Sequence, residues 1–204
     1  MNLRHSYSLL APIYDLIVRR ATHTLRKHSL QMLGDVTGQM ILVAGIGSGL
    51  DLPLLPPGAN YIGVDITPAM LRQARYQHAG SSVALHAGDV MALPYPNHSF
   101  DTVIMHLILA VVPYPERALA EAVRVLKPGG HILILDKFLR RNQRAPLRRW
   151  LSPLLGQIAT RTDVIFEDVF DACLQPGQPP LSVVSDAPVL ARGWFRNILL
   201  KKSA

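Results

Sequence analysis

Short apolar runs alternate with amphipathic stretches along most of this chain. The apolar runs are typical of buried strands, and they predict seven strands at residues 40–44, 61–65, 83–86, 101–106, 131–136, 181–186 and 194–200. Helical spacing and start signals predict helices within 1–38 and at 67–79, 115–126, 145–159 and 163–174. Strands that alternate with helices form βαβ units, and the sequence therefore predicts an α/β fold with a mostly parallel sheet.

Turn signals separate these elements. Thr67 and Pro68 form an N-cap and first-turn pair, which predicts the start of a helix. The sequence "KPGG" follows the helix at 115–126, and we expect Gly129 and Gly130 to make a turn before the next strand. The expected architecture is Rossmann-like and doubly wound, with helices on both faces of the sheet.

Composition and charge narrow the class of protein. The 204 residues suit one domain, and a single cysteine excludes an internal disulfide. We find no signal peptide and no uncharged apolar run long enough to span a membrane. The formal charge of +7 favours an anionic partner such as nucleic acid, acidic lipid or a phosphorylated substrate.

A glycine-rich loop follows the first predicted strand. Gly45, Gly47 and Gly49 occur in "ILVAGIGSGLDL", and Leu50 stands where the dinucleotide fingerprint has its last glycine. Asp65 ends the next strand, 65 − 45 = 20 residues after the first glycine, where an acidic side chain can hold a ribose. This spacing fits NAD and S-adenosyl-L-methionine (SAM) equally well.

Further motifs distinguish the two ligands. The sequences "GIGSG", "GVDITPAML", "GD…LP…SFD" and "RVLKPGG" together resemble class I SAM-dependent methyltransferases over residues 7–136. The resemblance implies SAM, with S-adenosyl-L-homocysteine as product and without a metal. It implies a helical lid at 1–38 over a core at 39–204, within one domain. It also implies cofactor-binding positions at Gly45, Ile46, Gly47, Gly49, Asp65, Ile66, Met70, Asp89, Val90 and His106.

Two departures from the family pattern are informative. Val43 stands where an acidic residue often precedes the loop, so a contact to the SAM amino group is lost or comes from backbone carbonyls. After the fourth strand the chain reads "MHLILAVVP" and lacks the N/D-P-P-Y/F/W motif, which counts against methylation of nucleic acid bases. We therefore expect no nucleic acid partner.

Methyl transfer needs alignment and exclusion of water more than a strong acid–base pair. The candidates for a chemical role are Tyr7 and Tyr14 in the lid and His106 after the fourth strand. Each has an alternative without chemistry: the two tyrosines as packing residues, with Tyr14 as an anchor of the first helix, and His106 as a contributor of its backbone alone. The sequence has no metal-ligand cluster, which argues against metal-dependent O-methylation.

The acceptor is indicated by two longer stretches. "YSLLAPIYDLIV" and "AVVPYPERALAEAVRVLKPGG" resemble bacterial phosphatidylethanolamine N-methyltransferases and are similar to quinone-biosynthesis methyltransferases. The first resemblance implies successive methylation of a lipid head group by a cytoplasmic protein, peripheral to the inner face of the cytoplasmic membrane. A cytosolic small-molecule methyltransferase with an N, O or S acceptor and a SAM-fold binding protein without catalysis remain as alternatives.

The segment 137–159 is basic and amphipathic, which is typical of a helix lying in a membrane interface. Its candidate membrane or substrate contacts are Lys137, Arg140, Arg141, Arg144, Arg148, Arg149 and Trp150. Ser152 and Pro153 predict a break into two short helices. In the alternative interpretation, its apolar stripe packs on the sheet and the arginines are solvated.

Overall fold

A computed structural model of the chain describes residues 22–80, 82–141, 163–174, 180–189 and 195–204. Four helices lie in these ranges: α1 over 22–31, α2 (Pro68–Gln77), α3 (Pro115–Val125) and α4 (Phe166–Cys173). The seven strands are β1 (Met40–Ala44), β2 (Asn60–Asp65), β3 (Ala84–Ala87), β4 (Phe100–His106), β5 (Leu126–Lys137), β6 (Leu181–Val189) and β7 (Phe195–Lys202).

The strands form one sheet in the order β3-β2-β1-β4-β5-β7-β6. Pairings among β1 to β5 are parallel, whereas β7 runs antiparallel to both β5 and β6. The predicted mostly parallel seven-stranded sheet is thus confirmed. The strand order reverses between β1 and β4, and ligands of open α/β sheets bind at the carboxyl ends of strands at such a switch point.

Alternate residues of the central strands face opposite sides of the sheet. Leu42 and Ala44 of β1 belong to one buried cluster, which includes residues of α3 and α4. Ile41 and Val43 belong to a second buried cluster, which includes residues of α1 and α2. Both faces of the sheet are therefore covered by helices, which explains why the central strands read as continuous apolar runs.

The predicted turn at "KPGG" is wrong, because β5 begins at Leu126, directly after α3. Gly129 has φ = 77° within the strand, and a Cβ on Gly130 would lie 2.7 Å from the Asp101 carbonyl oxygen. The β4–β5 register shifts between Phe100 and Thr102, next to this position. The two glycines thus permit a bulge and a close approach of β4, which are common reasons for glycine inside a strand.

Of the predicted helical regions, 1–38 is described in part and 145–159 is not described. Within the expected lid at 1–38, α1 covers 22–31, and residues 1–21 lie outside the described residues. The helices expected at 145–159 also lie outside them. The predicted helix at 163–174 is present as α4, although its first turn starts later than expected.

Candidate functional site

The glycine loop lies at the carboxyl end of β1. Gly45, Gly47 and Gly49 have φ values of 75°, 56° and 86°, a region that L side chains rarely adopt. A Cβ on Gly45 would lie 2.6 Å from the Ile108 side chain, and one on Gly49 would lie 2.7 Å from the Leu52 side chain. Among the described residues, no atom lies within 4 Å of a Cβ built on Gly47. Gly45 and Gly49 thus allow tight packing, whereas Gly47 faces open space.

Asp65 ends β2 beside this loop. Its Oδ2 accepts a hydrogen bond of 2.9 Å from the Gly47 N–H, and its Oδ1 accepts one of 2.8 Å from the Thr67 N–H. Burial raises the pKa of Asp65, against the effect of these backbone donors. Thr67 is the N-cap of α2 and Pro68 begins the helix, as predicted, although the Thr67 side chain makes no capping hydrogen bond. The carboxylate is therefore held against the glycine loop.

The other expected cofactor positions differ in whether their side chains are accessible to a ligand. Ile66 is 50% exposed next to Asp65, and Met70 is half-buried in the first turn of α2. Asp89 follows β3, and its Oδ1 accepts a 2.8 Å hydrogen bond from the Met91 N–H. The side chains of Ile46 and Val90 are buried in the two hydrophobic clusters, so these residues have only their backbones to offer a ligand.

His106 ends β4 and is 3% exposed. Its Nδ1 lies 2.8 Å from Asp51 Oδ1, and its Nε2 lies 3.0 Å from Ser29 Oγ. Because a carboxylate only accepts hydrogen bonds, the Nδ1 carries a proton toward Asp51. Both ring nitrogens are thus bound to protein groups, and this arrangement gives His106 a connecting position within the site. It lends no support to a direct role of the ring toward the acceptor.

Asp51 is the centre of this polar cluster, and sequence reasoning missed it. Its Oδ2 accepts a 2.7 Å hydrogen bond from Arg26 on α1, and the carboxylate is 2% exposed. Burial alone would raise the pKa of Asp51, but the charges of Arg26 and His106 outweigh it and hold the pKa well below its usual range. The signal was available, since Asp51 interrupts the otherwise apolar run "LDLPLL" just after the glycines.

Asp136 lies on β5, the strand next to β4 at the switch point. It is buried near the end of β5, where Oδ2 accepts from the Ala110 N–H at 3.0 Å and Oδ1 from the Lys137 N–H at 2.7 Å. Burial raises the pKa of Asp136, against the effect of these backbone bonds. The carboxylate thereby ties the turn after β4 to β5.

The basic segment is described only at its start. Arg141 donates hydrogen bonds of 2.7 Å to both Asp168 and Asp171 of α4, so two carboxylates offset its charge. Lys137 places its Nζ 5.7 Å from the centre of the Phe195 ring, and Arg140 is exposed. Six predicted residues lie outside the described ranges: Tyr7, Tyr14, Arg144, Arg148, Arg149 and Trp150.

Two properties of the described residues bear on cofactors and membranes. Among them, no group of three or more His, Cys, Asp or Glu side chains could hold a metal ion. The helices in this part of the chain are also too short or too polar to cross a bilayer.

Comparison with known proteins agrees with the geometry. Residues 42–134, which include the glycine loop, Asp65, Asp89 and His106, match the model of a methyltransferase domain family. The phosphatidylethanolamine N-methyltransferase of Cereibacter sphaeroides is 28% identical over 188 residues, covering 90% of this chain and 89% of that protein. The demethylmenaquinone methyltransferase of Thermus thermophilus is 34% identical over 140 residues, covering 64% of this chain and 63% of that protein.

A solved structure extends the similarity to the whole fold. A SAM-dependent methyltransferase from Thermotoga maritima superposes with a TM-score of 0.72 at 21% identity, covering 98% of this chain and 100% of that chain. At this level of identity the likeness shows a shared fold. The α/β Rossmann-like methyltransferase fold expected from the sequence is thereby confirmed.

Proposed function

We propose that this chain, which belongs to the class I SAM-dependent methyltransferases, methylates the amine of phosphatidylethanolamine in steps toward phosphatidylcholine. The observation that supports this acceptor most is the match to phosphatidylethanolamine N-methyltransferase along 90% of the chain. That match extends well beyond residues 42–134, which match the methyltransferase domain family.

The cofactor site follows from the residues at the switch point. In the bound state, the Asp65 carboxylate accepts hydrogen bonds from the ribose hydroxyls, and the methionine portion of SAM occupies the open space at Gly47. The exposed Ile66 side chain packs against the adenine, with Met70 nearby. Asp89 accepts from the adenine amino group, since the Met91 N–H engages only one of its carboxylate oxygens.

SAM supplies an activated methyl group on a sulfonium. In the transfer, the amine nitrogen lone pair forms the new N–C bond while the C–S bond breaks and its electrons remain on sulfur. The chain's own task is to hold the deprotonated amine in line with the methyl carbon and to exclude water. We assign this task to Tyr7 and Tyr14, whose hydroxyls orient the amine. Each product ammonium must lose a proton before the next transfer.

A quinone precursor is the alternative acceptor, favoured by the higher identity of 34% to demethylmenaquinone methyltransferase. There the chain covers 63% of the relative, and the acceptor is named only for that protein. Phospholipid and quinone precursor share a membrane location. We assign membrane contact to Arg144, Arg148, Arg149 and Trp150 of the basic segment, together with Arg140. Arg141 contributes less, because it is paired with carboxylates of α4.

The decisive experiment offers both acceptors to the same protein. Methyl-labelled SAM is incubated with vesicles of phosphatidylethanolamine and phosphatidylglycerol, or with phosphatidylcholine and phosphatidylglycerol vesicles that carry demethylmenaquinol. We expect label in mono-, di- and trimethylated head groups in the first mixture, and the D65A variant to lose it. Label only in the quinol would reject the lipid acceptor. Label in neither acceptor would reject both and favour a small-molecule acceptor.

A further inference from the structure

A chain of buried polar side chains joins helix α1 to the glycine loop. Arg26 and Ser29 project from α1 toward Asp51, which follows the loop, and toward His106 at the end of β4. Ser29 Oγ also donates a 2.7 Å hydrogen bond to Asn197 Oδ1 of β7. Five side chains from α1, β4, β7 and the post-loop turn thus meet at the carboxyl edge of the sheet, where the SAM site lies.

Loss of only one of the contacts to Asp51 is energetically unfavourable. Each oxygen of Asp51 has one partner, with Arg26 on Oδ2 and His106 on Oδ1. A buried carboxylate that loses one partner is left under-compensated, and such changes are strongly destabilising. Movement of α1 away from the sheet would remove Arg26 from Asp51 and Ser29 from His106 in one step. Intermediate positions of α1 are therefore unfavourable, because they break these contacts while Asp51 stays buried.

We propose that Asp51, His106 and Arg26 are positioning residues that couple SAM binding to the docking of α1. Asp51 lies two residues after Gly49, so its ion pairs fix the end of the loop on which SAM rests. By thermodynamic linkage, SAM then favours docked α1 to the same degree as docked α1 favours SAM. The proposal rests on SAM binding at the loop and is independent of which acceptor is methylated.

The first test uses the unaltered full-length chain. Hydrogen exchange is measured with and without saturating S-adenosyl-L-homocysteine, and no lipid is present. We expect the product to slow amide exchange severalfold in α1 (22–31) as well as in the glycine loop. Helix α3, on the other face of the sheet, serves as the internal control and should be unaffected. Slower exchange confined to the loop, with α1 unchanged, would overturn the coupling.

The second test compares two ion-paired aspartates, the buried Asp51 and the half-buried Asp186. D51N removes the charge in the cluster while keeping the size of the side chain. D186N does the same to the ion pair with Arg196, which is 2% exposed on β7 and also contacts Glu167 of α4. We expect D51N to weaken binding of S-adenosyl-L-homocysteine about tenfold, which is within the usual range of coupling between two sites. We also expect it to speed hydrogen exchange in α1. D186N should lower thermal stability but leave product binding and hydrogen exchange in α1 unchanged.

Kinetics separate positioning from stability. D51N should raise the KM for SAM while kcat stays near the wild-type value, because the reacting atoms are untouched. If D51N does not fold, S29A replaces it, since it removes the Ser29 hydrogen bonds to His106 and Asn197 and leaves both ion pairs of Asp51 in place. S29A should still weaken product binding and speed exchange in α1. If a folded D51N or S29A variant binds S-adenosyl-L-homocysteine as tightly as the wild type, the cluster has only a structural role and the coupling is refuted.

Discussion

Replacement of Gly47 by alanine tests whether the open space at the loop is the cofactor site. Gly47 has φ = 56°, and a Cβ there would meet no described atom within 4 Å. The left-handed conformation costs an alanine about 1–2 kcal/mol. For a chain of this size each kcal/mol shifts Tm by roughly 2–4 °C, so G47A should lower Tm by about 2–8 °C. A ligand seated on the loop would meet the added methyl group, and such overpacking costs about 1–3 kcal/mol, or roughly 5- to 150-fold in Kd.

Gly34 offers a matched control. Its φ is 64°, and the described residues again leave more than 4 Å around a built Cβ, but it lies in the turn after α1. G34A should therefore lose similar thermal stability and bind S-adenosyl-L-homocysteine as the wild type does. Thermal unfolding gives the first comparison, and titration calorimetry gives the second. Equal product affinity in G47A and G34A would refute the assignment of the cofactor to this loop.

Three further predictions concern the ribose, the membrane and the acceptor. D65A loses two charge-assisted hydrogen bonds of about 1.5–3 kcal/mol each, so calorimetry should show product affinity at least about tenfold lower. Because burial raises the pKa of Asp65, wild-type affinity should fall on acidification at a higher pH than an ordinary aspartate would give; a pH-independent affinity speaks against its role. In vesicle flotation R148S should reduce binding to anionic lipid more than R141S, and equal losses would contradict the pairing of Arg141 with α4. Y7F and Y14F should lower turnover without changing SAM affinity, and wild-type rates in both would make these tyrosines packing residues.

The α/β architecture was predictable because its strands are buried on both faces. Runs such as "MILVA" and "HILILD" alternate with amphipathic helices, and that pattern alone indicates a parallel sheet. The pattern does not say which strands are neighbours. The antiparallel insertion of β7 between β5 and β6 depends on pairings across the whole chain, and periodicity carries no information about them.

The site was predictable where spacing is local. The glycine loop and Asp65 lie close together as the 20-residue spacing predicts, with Gly47 N–H and Asp65 2.9 Å apart. That Gly47 alone among the loop glycines faces open space depends on Ile108 and Leu52, which pack against the others. The polar cluster was missed because its hydrogen bond from Ser29 to Asn197 joins residues 168 positions apart.

The place of β7 in the sheet has a consequence for folding during synthesis. β7 follows both β5 and β6 along the chain but pairs with each of them. While the ribosome is still translating it, the growing protein exposes the edge of β5, and β6 has yet to join its partner strand. The hydrogen bond between Ser29 and Asn197 can form only after β7 has been synthesised. A nascent chain arrested before β7 should thus hold most of the core yet present an open strand edge to chaperones.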